Sequence, residues 1–377
     1  SHSINAQPLV FRYAKGMIGL AHNGNLTNIT EIRSQLASAG SIFQSSTDSE
    51  VIVNVIAKYC RNGLVEAIIK SMADIRGAYS LLILTEKSLI GVRDPFGFRP
   101  LCLGRLGDAY VLASESCALD TVRAELIRDV EPGEIIIIDD GGLVSIKAQQ
   151  ARRKAHCVFE FIYFARPDSR MDGFVVNRMR REMGRQLARE YKVEADIVIP
   201  VPDSGTIAAR GFSEQSGIPF EEGLMKNRYI GRTFIQPSQS VRDLGVELKL
   251  NPVRDLLNGK RVIIVDDSIV RGTTSGRIVD MVKSCGAKEV HFCLSSPPIK
   301  KACYYGIDTS DEELIAYHKN IEEIRKFIGA DGLYYLSLEG LLGVFGSAGE
   351  NFCTACFSGD YPVEVPKQEE GGKYVLE

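Results

Sequence analysis

The segment that most constrains this chain is Val262 to Ser275, VIIVDDSIVRGTTS. Its β-branched run Val262 to Val265 is typical of a central parallel strand that is buried on both faces. Two carboxylates, Asp266 and Asp267, follow directly. Ligands of such sheets bind beyond the carboxyl ends of the strands. Adjacent carboxylates there can accept hydrogen bonds from vicinal hydroxyl groups or hold a hard cation through oxygen.

A turn rich in hydroxyl groups comes next. It is formed by Arg271, Gly272, Thr273, Thr274 and Ser275, at the start of a predicted helix. Backbone N–H groups and hydroxyls at a helix start form an anion site. The turn has neither the GxxxxGK[ST] pattern of a Walker loop nor the GxGxxG pattern of a dinucleotide fold. An acidic strand end before an ordinary capped helix is the alternative, and the combination of paired carboxylates with a phosphate-type turn disfavours it.

The whole segment closely resembles the phosphoribosyl-pyrophosphate loop of type I phosphoribosyltransferases. The resemblance implies that Asp266 and Asp267 face the ribose. It also implies that the turn from Arg271 to Ser275 holds the 5′-phosphate.

A second turn, Pro-Asp-Ser-Gly at 202–205, lies between the predicted strand Ile197 to Val201 and a helix. Alone it is a common structural turn. It precedes the first site by one strand-helix unit, however, and the equivalent loop of the resembled family takes the pyrophosphate. That resemblance assigns the pyrophosphate to Asp203, Ser204 and Gly205.

The stretch Lys226 to Arg254 is basic, rich in turn formers and without periodicity. A solvated surface loop is one interpretation. A loop of this length is usually a lid or disordered, and a phosphate-rich substrate needs cations and exclusion of water. We therefore expect a closing lid whose Lys226, Arg228 and Arg232 steady the phosphates.

Composition limits the class of protein. A chain of 377 residues suits two domains, and its 25% charged residues, 45% hydrophobic residues and net charge of -3 indicate neither a nucleic-acid arm nor a disordered tail. No apolar run reaches the roughly 18 residues of a membrane helix, and no signal-peptide pattern opens the chain. We expect a cytoplasmic protein with no nucleic-acid or membrane partner.

Two patterns of elements predict two kinds of domain. Residues 1–150 combine short strands with a few helices, which favours an α+β layered domain. After the basic stretch 147–154, apolar strands alternate with amphipathic helices, which indicates an α/β domain with a mainly parallel sheet and helices on both faces. The predicted bounds are 1–150, 151–345 and a C-terminal tail at 346–377. The predicted strands and helices include Met17 to Ala21, Ile29 to Leu36, Val51 to Tyr59, Val65 to Met72, Tyr79 to Leu84, Tyr110 to Leu112, Glu134 to Ile138, Thr206 to Gln215, Arg261 to Val265, Thr274 to Cys285 and Glu289 to Leu294.

Further motifs narrow the resemblance. With VDDSIVRGTTS, the segments KNRYIGRTFIQPSQ, SSPPI, YYGID and FIYFARPDS resemble the glutamine phosphoribosylpyrophosphate amidotransferase family, and the likeness runs from about residue 5 to 362. Members join an N-terminal nucleophile glutaminase domain to a type I phosphoribosyltransferase domain. The front markers here are AHNGNLTN, STDSE and RDPFGFRPL.

The resemblance implies the committing step of purine synthesis, in which glutamine, phosphoribosyl pyrophosphate and water give 5-phosphoribosylamine, glutamate and pyrophosphate. It implies a magnesium ion near Ser204, Asp266 and Asp267, which would neutralise the leaving pyrophosphate. Family members are commonly homotetramers inhibited by purine nucleotides, and both properties are expected here.

The front site follows from the same resemblance. Asn23 supplies its side-chain amide and Gly24 its backbone N–H to the oxyanion, which develops only in the transition state. Asp48 holds the α-amino group of glutamine. Taken alone, His-Asn-Gly is only a turn signal.

The glutaminase nucleophile of the family is an N-terminal cysteine whose α-amine serves as base, and we expect it upstream of Ser1. Cys60, Cys102 and Cys117 are internal, lack a free amine and lie in runs that read as buried elements. None of these three cysteines is therefore expected to replace it.

Nine cysteines without a secretory signal argue against a disulfide framework. The CTAC motif of Cys353 and Cys356 alone suits zinc, a redox pair or an iron-sulfur cluster. In the cluster-containing members of the family, the ligands fall at positions matching Cys157, Cys303, Cys353 and Cys356. The resemblance therefore implies a structural [4Fe–4S] cluster, with zinc as the alternative.

Two other functions stay open at this point because the nucleophile is absent from the 377 residues. One is a phosphoribosyltransferase that uses free ammonia only. The other is a non-catalytic sensor of phosphoribosyl pyrophosphate or nucleotides that uses the same pocket.

Overall fold

The computed structural model describes residues 3–13, 15–227, 229 and 250–366 of the chain. Among these residues, no helix has both the length and the apolar character needed to cross a membrane. The front elements, in chain order, are β1 (Leu9–Tyr13), β2 (Gly16–Leu26), α1 (Ile29–Ser38), α2 (Asp48–Tyr59), α3 (Leu64–Asp74), β3 (Gly77–Leu84), β4 (Ser88–Arg93), β5 (Cys102–Leu106), β6 (Ala109–Ala113), α4 (Ser116–Thr121), β7 (Glu125–Asp129), β8 (Glu134–Asp139) and β9 (Gly142–Lys147).

The front half is layered around an antiparallel sheet with the order β1-β2-β3-β4-β8-β9, and a smaller sheet has the order β6-β5-β7. The central strand β3 is covered on both faces. Leu81 and Ile83 pack in the cluster that contains Ile56 of α2, whereas Leu82 packs against the cluster around Leu112 of the smaller sheet. The predicted α+β layered domain is thereby confirmed, with helices on one face and a second sheet on the other.

The rear elements, in chain order, are β10 (His156–Cys157), a π-helix (Glu160–Phe164), β11 (Arg170–Met171), β12 (Phe174–Val175), α5 (Val176–Glu190), β13 (Ile197–Pro200), α6 (Thr206–Ser216), β14 (Leu224–Lys226), β15 (Leu250–Pro252), α7 (Arg254–Leu257), β16 (Arg261–Asp266), α8 (Thr273–Ser284), β17 (Glu289–Leu294), α9 (Ile315–His318), α10 (Ile321–Phe327), β18 (Gly332–Tyr335), α11 (Leu338–Gly343), β19 (Phe352–Cys353) and α12 (Ala355–Ser358). Short 3-10 turns span Ser3–Asn5, Asp311–Glu313 and Gly346–Asn351.

The rear half is built on a parallel sheet with the order β13-β16-β17-β18. The side chains of residues 262–265 are fully buried, because alternate residues of β16 face opposite layers. Ile263 packs in the cluster with Phe212 of α6, and Ile264 packs with Ile278 of α8. The predicted parallel sheet with helices on both faces is confirmed. Strand β16 runs one residue further than predicted, through Asp266, and α8 begins one residue earlier, at Thr273.

Two buried ion pairs join the halves across the irregular connection at 148–155. Arg93 at the end of β4 bonds Asp172 of the β11–β12 turn at 2.9 Å, and Arg99 bonds Glu160 of the π-helix at 2.5 Å. From the far end of the described chain, β19 returns to pair with β10. The domain bounds themselves stay a prediction.

A glycine contact between α5 and α6 gives a test of the packing that supports the pyrophosphate turn. A Cβ on Gly184 of α5 would lie 1.9 Å from the backbone oxygen of Ala208 in α6. We expect Gly184→Ala to lower the free energy of unfolding by about 1 to 3 kcal/mol, because the helices cannot separate without losing core contacts. Urea unfolding followed by circular dichroism measures the change.

Gly276→Ala is the matched control, since a Cβ there would meet Ile328 only at 3.6 Å. Replacing a glycine inside helix α8 should raise stability by about 0.5 to 1 kcal/mol. Equal effects of the two substitutions would contradict the packing argument.

Candidate active sites

The rear site lies where β13 and β16 end side by side. Asp266 is the last residue of β16, and its Oδ1 accepts a hydrogen bond of 2.7 Å from Oγ of Ser204. The same oxygen accepts the backbone N–H of Asp267 at 2.9 Å. The ribose and pyrophosphate turns predicted from sequence therefore meet at one edge of the sheet.

The two carboxylates are buried without an adequate counter-charge. Burial, followed by the neighbouring charge of Asp267, raises the pKa of Asp266 well above its usual value. Burial also raises the pKa of Asp267, against the opposing effects of a hydrogen bond from Ser268 and the charge of Arg180. A cation at this position would allow both carboxylates to ionise.

Oxygen ligands in this arrangement fit magnesium. That ion is usually held by one or two carboxylates, with waters and substrate phosphates completing the shell. In the part of the chain that the structure describes, no group of three or more His, Cys, Asp and Glu residues is arranged to hold a metal by itself. The fit here rests on a pair of carboxylates and a hydroxyl.

Gly205 allows the predicted pyrophosphate turn, residues 202–205, to lie directly on β16. A Cβ on Gly205 would be 2.1 Å from the backbone oxygen of Val265. The turn runs through a cis peptide bond between Pro202 and Asp203, and the exposed Asp203 forms an ion pair with Lys226 at the end of β14. Lys226 is thus the predicted lid residue that the structure brings to this turn. Arg228 and Arg232 lie outside the described residues.

The turn predicted to hold the 5′-phosphate is shaped by Gly272, whose φ of +79° is a left-handed conformation, at the N-terminal cap of α8. Thr273 and Thr274 are exposed at the first turn of that helix, whereas Ser275 is buried. Arg271 forms an ion pair with Glu313. The helix start therefore presents two of the three predicted hydroxyl groups to solvent.

The front site lies on β2. Asn23 and Gly24, whose local sequence is typical of a turn, are instead inside this strand, opposite Ser80 and Tyr79 of β3. The φ of Gly24 is +148°, and a Cβ there would lie 2.0 Å from the backbone oxygen of Ala78. Only glycine permits this approach, and the side chain of Asn23 is exposed beside it.

Asp48 lies in the first turn of α2 and contacts the same strand, β2. Its Oδ2 accepts the N–H of Leu26 at 3.1 Å, and its Oδ1 lies 3.3 Å from Nδ1 of His22. Burial acts to raise the pKa of Asp48, but His22 and the N–H groups of Leu26 and Ser49 outweigh it and hold the pKa below its usual value. The result is an ionised carboxylate suited to an ammonium group. Sequence reasoning missed His22, although it directly precedes Asn23.

The four cysteines predicted as cluster ligands lie near enough to affect one another electrostatically, although no group of three or more His, Cys, Asp and Glu residues in the described part of the chain is arranged to hold a metal ion. Cys157 on β10 is paired directly with Cys353 on β19, Cys303 lies in the loop after β17, and Cys356 lies on α12. Burial raises the pKa of Cys157 to about 12, and burial followed by the other three thiols raises that of Cys356 well above its usual value. We call these residues the cysteine quartet. Four thiolates that affect one another in this way would repel, and four cysteines are a ligand set that takes either zinc or an iron-sulfur cluster.

The other cysteines are buried separately from the quartet, as expected for core thiols: Cys60, Cys102, Cys117, Cys285 and Cys293. Cys60 packs in the front helical cluster and Cys293 in the core of the rear sheet. Burial raises the pKa of Cys102 to about 12, which disfavours the reactive thiolate.

Two buried arginines near these sites were not singled out from the sequence. Arg180 on α5 donates to the backbone oxygens of Phe161 and Ala165, at 2.8 Å each, and its charge acts on Asp267. Arg99 belongs to the RDPFGFRPL motif, which served only as a marker of the family. A buried arginine has no periodic signal, so only its partners reveal it.

Both halves of the chain match known protein families. A model described as a glutamine amidotransferase domain matches residues 2–121, and one described as a phosphoribosyl transferase domain matches residues 178–322. The amidophosphoribosyltransferase of Archaeoglobus fulgidus is 51% identical over 370 residues, which are 97% of this chain and 81% of that protein. That of Bacillus subtilis is 52% identical over 367 residues, which are 96% of this chain and 77% of that protein.

A solved structure agrees with these relatives. Glutamine phosphoribosylpyrophosphate amidotransferase from B. subtilis, complexed with ADP and GMP, superposes with a TM-score of 0.92 at 51% identity, over 97% of this chain and 82% of that one. The chain therefore belongs to the amidophosphoribosyltransferase family, the glutamine amidotransferase-type pentosyltransferases of purine biosynthesis.

Proposed function

We propose that the rear site transfers ammonia to C1 of phosphoribosyl pyrophosphate, with release of pyrophosphate, and that the front site is built to release that ammonia from glutamine. The bond between Ser204 and Asp266 carries the first part of this proposal, because it joins the pyrophosphate turn to the ribose carboxylates. Family membership supports the second part.

In the rear site, Asp266 and Asp267 bind the ribose hydroxyls, and Asp203, Ser204 and Gly205 bind the pyrophosphate. The turn from Arg271 to Ser275 binds the 5′-phosphate at the positive end of α8. Asp266, Asp267 and Ser204 would hold a magnesium ion, which when bound would supply the positive charge that the leaving pyrophosphate needs. Lys226 steadies the phosphates from the edge of the lid, together with Arg228 and Arg232.

In the front site, the N–H of Gly24 and the side-chain amide of Asn23, which are neighbours on β2, donate to the oxyanion that develops in the transition state. Asp48 binds the α-amino group of glutamine through the carboxylate that His22 and Leu26 orient. Within the 377 residues, every cysteine is internal and lacks the free α-amine that serves as base in an N-terminal nucleophile.

The cysteine quartet is proposed to hold a structural [4Fe–4S] cluster. Its support is that four thiols from three separate segments affect one another electrostatically, and that four cysteines are the usual ligand set of such a cluster. Cys157 on β10 and Cys353 on β19 would be among its ligands, so the ligation energy of the bound cluster would add to the folding energy of these strands.

Regulation and assembly follow from family resemblance. The B. subtilis structure is complexed with ADP and GMP, which supports purine nucleotides as feedback inhibitors here. We also propose that the protein is a homotetramer in the cytoplasm.

Replacing both ribose carboxylates tests the rear site. Asp266→Asn with Asp267→Asn should weaken phosphoribosyl pyrophosphate binding at least a hundredfold, since each lost hydrogen bond to a charged group costs about 1.5 to 3 kcal/mol. Isothermal calorimetry with magnesium present measures the affinity. The matched control is Asp139→Asn with Asp140→Asn, two consecutive exposed aspartates of the front half, which should leave the affinity unchanged. Unchanged affinity of the first double variant would rule out the assignment.

The choice of nitrogen donor tests the front site. We expect the 377-residue chain to release pyrophosphate from phosphoribosyl pyrophosphate with ammonium but not with glutamine, because none of its cysteines has a free amine. A coupled pyrophosphate assay compares the two donors. Equal rates with both donors would show that a nucleophile is present within these residues, and release with neither would argue for a binding protein.

Metal analysis tests the quartet. An anaerobic preparation should contain iron and sulfide in equal amounts, and Cys353→Ser should lose both. Cys285→Ser, a buried thiol at the end of α8, is the control and should retain both. Zinc in place of iron would overturn the cluster.

A further inference from the structure

Arg99 is a residue of the front half, and its guanidinium is buried beside the segments that contain Cys157 and Cys303. Its side chain is 6% exposed. Its Nη1 donates to Oε1 of Glu160 at 2.5 Å, and its Nε donates to the backbone oxygen of Tyr305 at 3.2 Å. Glu160 follows Cys157 by three residues, and Tyr305 follows Cys303 by two. One side chain from the front half thus binds two of the segments that carry the quartet.

The residues before Arg99 support the same two segments. The backbone oxygen of Phe98 accepts the N–H of Cys157 at 3.0 Å. The ring of Phe98 stacks on that of Tyr305, with centroids 4.2 Å apart and planes 21° from parallel. Phe98 and Arg99 therefore contact both of the segments that contain Cys157 and Cys303.

Charge distinguishes Arg99 from an ordinary structural residue. Its positive charge acts on Cys157 and Cys303, and Glu160 acts on Cys157 in the opposite sense. Four thiolates around a [4Fe–4S] core carry net negative charge, and nearby charge is one of the factors that set the properties of such a cluster. A buried positive charge should act strongly there, because the low dielectric of the interior screens it little.

On its other side, Arg99 approaches the front site. A Cβ on Gly306 would lie 2.9 Å from Nη2 of Arg99 and 3.0 Å from the backbone carbon of Gly24. Beside this contact, Nδ2 of Asn25 donates to the backbone oxygen of Tyr304 at 2.9 Å. The segment that follows Cys303 is therefore in contact with both Arg99 and the strand that carries the oxyanion residues.

We propose that Arg99 is a positioning residue for the cysteine quartet, which fixes two of its ligand segments against the front half and stabilises the reduced, more negatively charged form of the cluster. The inference rests on the proposed cluster. Glu160 has the opposite electrostatic effect, because it partly cancels the charge of the guanidinium.

Two variants of the ion pair separate this role from a merely structural one. Arg99→Met with Glu160→Gln removes both charges, so the reduction potential should fall and oxygen should release iron faster. Glu160→Gln alone leaves the guanidinium uncancelled, so the potential should rise and iron loss should slow. Spectroscopic redox titration and timed iron release under air measure the two quantities. Loss of packing alone would accelerate iron release in both variants.

The control is Arg128→Met with Glu134→Gln, an ion pair of the front half at 2.6 Å whose partners do not include the cysteines. It should change neither quantity. Arg99→Lys, which keeps the charge, should restore the potential relative to the neutral double variant.

Failure of the cluster proposal can be distinguished from failure of the proposed role of Arg99. Wild-type protein without iron and sulfide overturns both the cluster and the role of Arg99. Iron and sulfide at wild-type levels, with a potential that does not move in opposite directions in the two variants, overturns the role of Arg99 alone. If the double variant does not fold, Glu160→Gln decides, since an unchanged or lowered potential in that variant contradicts the proposal.

Discussion

The arrangement of the two halves depends on a few buried charged residues where the halves meet. Arg93 is almost fully buried and bonds Asp172, while its remaining N–H groups bond the backbone oxygens of Gly97, Arg99 and Val130. Breaking a buried ion pair leaves an uncompensated charge at a cost of about 3 to 5 kcal/mol. The two halves are thus held in one arrangement, and the front strand β2 and the rear cysteine segments keep their contact.

The proposed cofactor sites show the opposite pattern. Asp266 and Asp267 are buried side by side, and the four thiols of the quartet outnumber the buried guanidinium of Arg99 that acts on them. Buried groups of like charge are unfavourable unless something else compensates them. A cation that bridges substrate and carboxylates in one site, and a metal cluster in the other, would remove this imbalance. The distribution of charge therefore separates structural ion pairs from functional sites.

Much of the rear site was predictable because its signals are local. The buried run of β16, the carboxylates at its end and the glycine-threonine turn are contiguous, and strand geometry alone fixes where they point. The sequence predicted Gly205 and Gly24 as binding residues. The structure shows that both positions also require glycine, because the backbone oxygens of Val265 and Ala78 occupy the space of a Cβ. His22 was missed because a histidine inside a strand has no signal until Asp48 lies next to it.

The sequence by itself determined the two fold classes, and it predicted the edge of the sheet at which ligands bind and the residues there. The meeting of Cys157 with Cys353 was implied by the family resemblance, but only the tertiary structure showed that Arg99 meets Tyr305 and that Gly24 meets Gly306. The reason is physical. Burial and periodicity act between neighbours in the chain and leave a pattern in it, whereas the hydrogen bond between Arg99 and Tyr305 spans 206 residues and depends on how two complete cores pack.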